Sequence, residues 1–356
     1  MITWRRGTVT AIGRQWPGAA ELEVTVSGAP ARALAYPKLT GLPEPGDEVL
    51  LNTGALDLGL GTGGYALVVA IPGRLPLDAP SQGHLVKARY TPLQAIVQGA
   101  DEQGSGFHEI LRDADDLGGV PVVVADLHSA VPAVLAGFYA QQLARSGRAV
   151  YVMQDGGALP IWFSRTVGAL REAGWIAGTV TVGQAFGGDL EAVTLYTGML
   201  AARHVLEADL VVVAQGPGNL GTGTRWGFSG VAAGEAVNAA ATLAGKPVAS
   251  LRISEADQRE RHRGISHHSL TAYGRVALAR ADVVIPDLPG AFGASVAAAA
   301  AEFGARHNLI TVSTDGLREA LAECPVRLST MGRSLADDAA YFLAAAAAGR
   351  HAAALS

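Results

Sequence analysis

The sequence predicts an α/β protein in two parts: a small N-terminal β-barrel, then a large parallel doubly wound sheet. Three observations predict this. The first 80 residues break into five short strand-like runs separated by Gly and Pro. From residue 84 onward, apolar strand-like runs alternate with helical periods. Runs such as VPVVVA (120–125) and DLVVVA (209–214) are apolar throughout, as strands covered on both faces are. That rhythm belongs to a Rossmann-like three-layer domain.

The barrel strands are expected at 6–13, 21–27, 31–36, 47–52 and 65–71, within a domain spanning 1–80. Glu44-Pro45-Gly46-Asp47 supplies turn chemistry between two of them, and Gly59–Gly64 reads as a hairpin loop because it leads into a strand rather than a helix. Residues 72–83, with three prolines, read as the linker. The second domain, 84–356, has expected strands at 94–98, 120–125, 149–153, 176–182, 209–214, 247–251, 281–285 and 308–313. Helices are expected at 129–146, 160–173, 190–206, 228–244, 291–306 and 332–349. His84 to Arg89 alternates like a strand with one charged face, best read as a solvated edge.

Composition bounds the function. Hydrophobic residues make up 49% and charged residues 17%, so the chain can build a large core. A net charge of −5, with six Lys/Arg against seven Asp/Glu in residues 1–80, argues against nucleic acid as a partner. The single cysteine, Cys324, excludes a disulfide framework, and no uninterrupted membrane-length span is present. The N-terminus lacks a signal-peptide core, so the expected location is the cytoplasm. The alanine-rich helices 291–303 and 339–349 could pack inside the fold or build a homo-oligomer interface.

Ligands of open α/β sheets bind beyond the carboxyl ends of the strands, and five polar clusters are expected on that rim. The first is the stretch Ala208–Gly230, a strand running into a loop with six glycines. Gly216, Gly218, Gly221 and Gly223 would let backbone approach an anion, with Asn219, Thr222 and Arg225 as donors. Its Gly-x-Gly-x-x-Gly spacing is weak as a dinucleotide fingerprint: with 45 glycines in 356 residues, about 0.7 matches arise by chance. The bland alternative is a flexible turn over the sheet edge. The second cluster, 252–269, offers Arg252 and Arg263 to a phosphate or carboxylate, and His262, His267 and His268 for proton transfer or metal binding. Against that, Ser254 with Asp257, and the pairs Glu255–Arg259 and Asp257–Arg261, could make 254–263 an ordinary solvated helix. The other three clusters are Asp126 with His128, a candidate acid or base; Asp155; and Asp189 with Glu191, which could place a metal, act as a base, or cap a helix. A metal would draw on these carboxylates and histidines, with Asp189, Glu191, His267 and His268 foremost, although no known metal motif is matched.

The segments VKARYTPLQ (86–94), LHSAVPAVLAG (127–137), AFGGDLEAVTLYTG (185–198), GPGNLGTGTRWGFSG (216–230) and RISEADQRERHRGISHHSLT (252–271) resemble an uncharacterised bacterial family catalogued as domain of unknown function 3866. The resemblance implies no substrate and no catalytic residue. The residues themselves lead to an enzyme or binding protein for a phosphorylated or other anionic small molecule, with a nucleotide or a divalent metal as candidate cofactor. The alternatives are a metal-dependent hydrolase and a non-catalytic sensor whose barrel contacts a partner.

Overall fold

The computed structural model describes residues 2–78, 82–140 and 146–356. Part of the expected linker (79–81) and the end of the expected helix 129–146 (141–145) lie outside the described residues. The chain divides into two compact units, residues 1–97 with 162–168, and residues 98–161 with 169–356.

The first unit holds a closed five-stranded barrel, as the sequence predicts. Its elements are β1 (Trp4–Trp16), β2 (Ala19–Val26), β3 (Ala29–Ala35), a one-turn helix α1 (Pro37–Thr40), β4 (Glu48–Asn52), a second short helix α2 (Gly54–Asp57) and β5 (Ala66–Ala70). The strand order is β1-β2-β3-β5-β4, closed by antiparallel pairing of β1 with β4, with β3 and β5 parallel. Alternate residues Leu22, Val24, Ala33, Ala35, Val49 and Leu51 fill the interior. Residues 162–168 join this unit through Trp16, whose indole N–H donates to the Trp162 carbonyl (2.7 Å), and through the Arg165–Glu21 ion pair (3.3 Å). β6 (Leu85–Lys87) and β7 (Ala95–Val97) form an antiparallel ribbon. The expected strand 94–98 therefore lies outside the large sheet; only three of its residues are apolar, too few for a strand covered on both faces. Lys87, expected on a solvated edge, is buried.

The second unit is the doubly wound domain. After the short helix α3 (His108–Leu111) come β8 (Pro121–Val124), α4 (Val131–Tyr139), β9 (Ala149–Gln154), α5 (Arg165–Glu172, which begins in the first unit), β10 (Gly178–Val182), β11 (Leu190–Ala192) and α6 (Leu195–His204). β12 (Leu210–Gln215), α7 (Ala232–Thr242), β13 (Lys246–Ser250) and a hairpin of β14 (Ile253–Ser254) with β15 (Gly264–Ile265) follow. The remainder is α8 (His267–Thr271) with a π-turn (Ala272–Val276), β16 (Asp282–Asp287), α9 (Gly290–Ala300), β17 (Asn308–Ser313), α10 (Leu317–Ala322), the hairpin β18 (Ser329–Thr330) and β19 (Arg333–Ser334), and α11 (Ala339–Leu355). Eight strands form one parallel sheet in the order β11-β10-β9-β12-β8-β13-β16-β17. Two expected helices start late: residues 190–192 pair as β11, and residues 329–334 form the last hairpin before α11. The 254–263 stretch is no helix. It is the β14–β15 hairpin with a 3-10 turn at Glu260–His262.

Helices cover both faces. α4, α10 and α11 pack together on one, and α3, α6 and α7 on the other. Valines of the central strands (Val122, Val124, Val150, Val152, Val211, Val213) build the core between them. α11 is buried on all sides from Ala340 to Gly349, so this alanine-rich helix lies inside the fold. It meets α4 backbone to backbone: a Cβ on Gly137 would sit 1.8 Å from the Ala346 carbonyl oxygen, and one on Gly349 would sit 1.8 Å from that of Val134.

The topology selects one point on the carboxyl rim. β8 and β13 are neighbours, yet β8 leads through α4 on one face toward β9, while β13 leads through α8 and its π-turn, which packs on α7 on the other face, toward β16. Adjacent strands whose connections diverge to opposite faces open a crevice at their carboxyl ends, where open α/β sheets bind ligands.

Candidate functional site

Three segments converge on that crevice: Asp126–His128 from β8, Arg252–Ser269 from β13, and the glycine loop 216–230 from β12. The π-turn locks the floor, because the Tyr273 hydroxyl lies 2.8 Å from the Val124 carbonyl and 3.3 Å from that of Ser250, the last residues of β8 and β13.

Above the floor sit His262, His267 and His268. Each offers one imidazole nitrogen, and the three atoms lie within 4.8 Å of one another. Nitrogens sharing a tetrahedral zinc at 2.0–2.1 Å would be about 3.4 Å apart, so small side-chain rotations would close the set. The sequence builds this locally. The β14–β15 hairpin carries His262 up on its 3-10 turn, and Ser266 caps α8 by accepting from the His268 amide (3.2 Å), placing two histidines on the first turn. The Ser266 hydroxyl also meets His262 Nδ1 at 2.7 Å. His267 Nε2 is buried without a hydrogen-bond partner among the described residues.

His268 is the most constrained of the three. Phe228 stacks on its ring at 3.8 Å with a 4° interplanar angle. Nδ1 faces Asp126 Oδ2 at 3.2 Å, Arg252 Nη1 at 3.3 Å and Asn219 Nδ2 at 3.5 Å. We assign the proton to Nδ1, donated to Asp126. The other tautomer would leave a carboxylate that is 3% exposed with no hydrogen bond among the described residues. This assignment leaves the Nε2 lone pair free, in the carboxylate–histidine arrangement found behind metal ligands and general bases.

A network of ion pairs supports the hairpin. Asp257 accepts from Arg259 Nε (2.9 Å) through Oδ1, and through Oδ2 from Arg259 Nη2 (2.8 Å) and Arg333 Nη2 (3.1 Å). Those bonds, from Arg259 foremost, hold its carboxyl well below the usual range. Asp338, just before α11, accepts from Ser254 Oγ (2.6 Å), the Glu255 amide (3.2 Å) and Arg333 Nε (2.9 Å). A cavity of about 410 Å³ opens beside this network, lined by residues 256–259 and 331–333.

Burial is the main force on the histidine charges. It lowers His262 to about 3, helped by Arg252 and Arg259, and His267 to about 4, helped by His268 and Arg261. His128 falls to about 4 by burial. All three are therefore neutral at pH 7, the form that can ligate a metal. Because their folded values lie below the unfolded 6.5, they contribute stability that is fully present above pH 6.5 and lost as pH falls through 4 toward 3. For His128 alone the loss by pH 4 is about 3 kcal/mol. Urea unfolding of the metal-free protein should show midpoints that fall steeply between pH 6.5 and 4; a flat profile would mean these imidazoles are solvated.

The remaining sequence candidates are placed as follows. Asn219 lies in the site, its Oδ1 near Ser229 Oγ (2.8 Å) and the Gly230 amide (3.4 Å). Gly216 packs against Leu159 and Met153, and Gly218 makes a turn at φ +97°. Gly221, Thr222, Gly223 and Arg225 lie in an exposed loop closed on itself by the Gly221–Phe228 bridge, and Arg225 makes no side-chain bond among the described residues. Arg263 is exposed. His128 Nδ1 meets the Tyr151 hydroxyl (3.1 Å). Asp155 is spent on the amides of Gly157, Ala158 and Gln184. Asp189, expected on the carboxyl rim, sits instead at the amino end of β10. The chain folds back after Val182, and Asp189 bonds the Thr179 amide and hydroxyl and Arg171. Glu191 lies within β11, bonded to Thr181 and the Gly187 amide. Phe228, Arg333 and Asp338 belong to the site or its support without having been sequence candidates. Phe228 lies inside the glycine-loop motif, but nothing local marks Arg333 or Asp338.

No helix among the described residues is long and apolar enough to cross a membrane. The chain belongs to the family described as protein of unknown function (DUF3866), whose pattern matches residues 32–349 and so spans all five resembling segments. No curated protein matches it.

Proposed function

We propose, starting from membership of a family whose description assigns no activity, that this protein is a metal-dependent hydrolase of an anionic small molecule. The observation that carries the reading is the convergence of His262, His267 and His268 within 4.8 Å at the β8–β13 crevice. Three further features support it: Asp126 orients His268, His267 Nε2 is buried without a hydrogen-bond partner among the described residues, and burial keeps His262 and His267 neutral.

Imidazoles suit zinc and its neighbours rather than magnesium. His262, His267 and His268 would hold such a metal, and a zinc ion bound there would supply an activated water near neutral pH. Asp126 would raise the basicity of His268 and fix its ring; Phe228 would hold that ring and limit water on its face. Asn219 and Arg252, both against His268 Nδ1, would orient substrate.

The test is thermal unfolding of chelator-stripped protein with Zn²⁺, Co²⁺, Ni²⁺ or Mg²⁺. Metal at 100 times its dissociation constant adds about 2.7 kcal/mol, several degrees for a domain of this size. Zinc and cobalt should raise the transition and magnesium should not. No shift with any of the four would end the reading.

A further inference from the structure

Arg252 is 4% exposed, yet its guanidinium is only partly used. Nη1 lies 3.3 Å from His268 Nδ1, which as the donor to Asp126 cannot accept from it, and Nη2 is buried with no hydrogen bond among the described residues. Its nearest acidic oxygen, Asp257 Oδ2, is 3.7 Å away and already serves Arg259 and Arg333. A buried donor left without a hydrogen bond costs more than such a bond typically contributes. Nothing among the described residues completes it. Asn219 shows a related imbalance: Oδ1 is engaged by Ser229 and Gly230, while its Nδ2 arm has only a 3.5 Å approach to the same His268 Nδ1.

Charge decides what would complete the set. Ion pairs link Arg252, Arg259 and Arg333 to Asp126, Asp257 and Asp338, so the network is neutral. The three imidazoles are neutral ligands. A divalent cation among them therefore brings two uncompensated positive charges, where a carboxylate-rich site would cancel them. A phosphate monoester carries about −1.5 to −2 at pH 7, and a carboxylate only −1.

We infer that the substrate presents a phosphoryl group, with Arg252 Nη2 and Asn219 Nδ2 donating to its oxygens. The inference rests on the metal reading above, but Arg252 can be tested apart from it. Isothermal titration would first measure zinc binding to the stripped protein. Inorganic phosphate would then be titrated into the stoichiometrically zinc-loaded and the metal-free forms, with acetate as the carboxylate probe. The wild type should bind phosphate, more tightly when loaded, and acetate much more weakly. Arg252→Lys keeps the charge but loses the second arm. It should retain zinc and lose about 10- to 100-fold in phosphate affinity, the worth of a hydrogen bond to a charged group. Asn219→Ala, at a half-buried position, should lose about 3- to 10-fold and carries the test if Arg252→Lys fails to fold. Phosphate binding unchanged in both variants would overturn the inference, and acetate binding as tight as phosphate would replace phosphoryl by carboxylate. If zinc does not bind, the hydrolase reading fails by itself. The metal-free phosphate titration then decides: binding lost in Arg252→Lys keeps the phosphoryl subsite, and no loss removes it.

Discussion

Replacing His268 with alanine should weaken zinc binding by more than about 100-fold, since removing a metal's outer-sphere partner alone costs 10- to 100-fold. A chelator competition on purified protein would measure it. His262→Ala should behave alike, because both imidazoles contribute nitrogens to the same set. Asp126→Asn separates ligand from support. The amide cannot accept a proton-sharing bond of the same strength from His268 Nδ1, so affinity should fall by about 10- to 100-fold and no further. His268 is also a packing residue, stacked on Phe228, so His268→Gln belongs beside the alanine variant as a control for the volume lost. Zinc affinity unchanged in both His268 variants would place the ligands elsewhere and reduce the cluster to buried packing.

Asp257→Asn should destabilise the protein by about 3–5 kcal/mol, the usual cost of removing one member of a buried ion pair. The carboxylate is 2% exposed and lies between Arg259, Arg333 and Arg252. Losing its charge leaves three guanidinium groups facing one another, with Asp338 as the nearest counter-charge to Arg333. Urea unfolding should show a lower midpoint at unchanged slope. A change below about 1 kcal/mol would mean that the arginines swing to solvent, and that the network is a surface feature.

Much of the fold was legible because its signals are periodic. Five alternating runs with Gly/Pro breaks became the barrel, and seven apolar runs became strands of the parallel sheet. The eighth, β11, was hidden because three residues, Leu190–Ala192, run straight into the helical period of α6. The site was legible in part. The rule that ligands bind at strand ends found Asp126, Asn219, Arg252 and the three histidines, and the structure gathers them. It misplaced Asp189 because the rule assumes that the chain stays on the rim after its strand, whereas residues 183–189 fold back along β10. The i,i+4 charge pattern of 254–263 suggested a helix. A hairpin forms instead, because Asp257 binds Arg259 and Arg333 rather than Arg261, and Asp338 ties down Ser254. Arg333 and Asp338, 76 and 84 positions from the residues they hold, leave no periodic trace.

The close meeting of α4 and α11 bears on how the molecule is made. α11 follows every strand of the sheet in chain order, and it covers one face of β8, β13 and β16. On the ribosome, a nascent chain that has already delivered all eight strands still shows that face to solvent, or to whatever chaperone meets it first. Asp338 and Tyr341, which tether Ser254 and Ser129, arrive with the same helix. The crevice is therefore finished late, when Gly137 and Gly349 let the two helices close, and a chain stalled before that point would carry its histidines without the frame that gathers them.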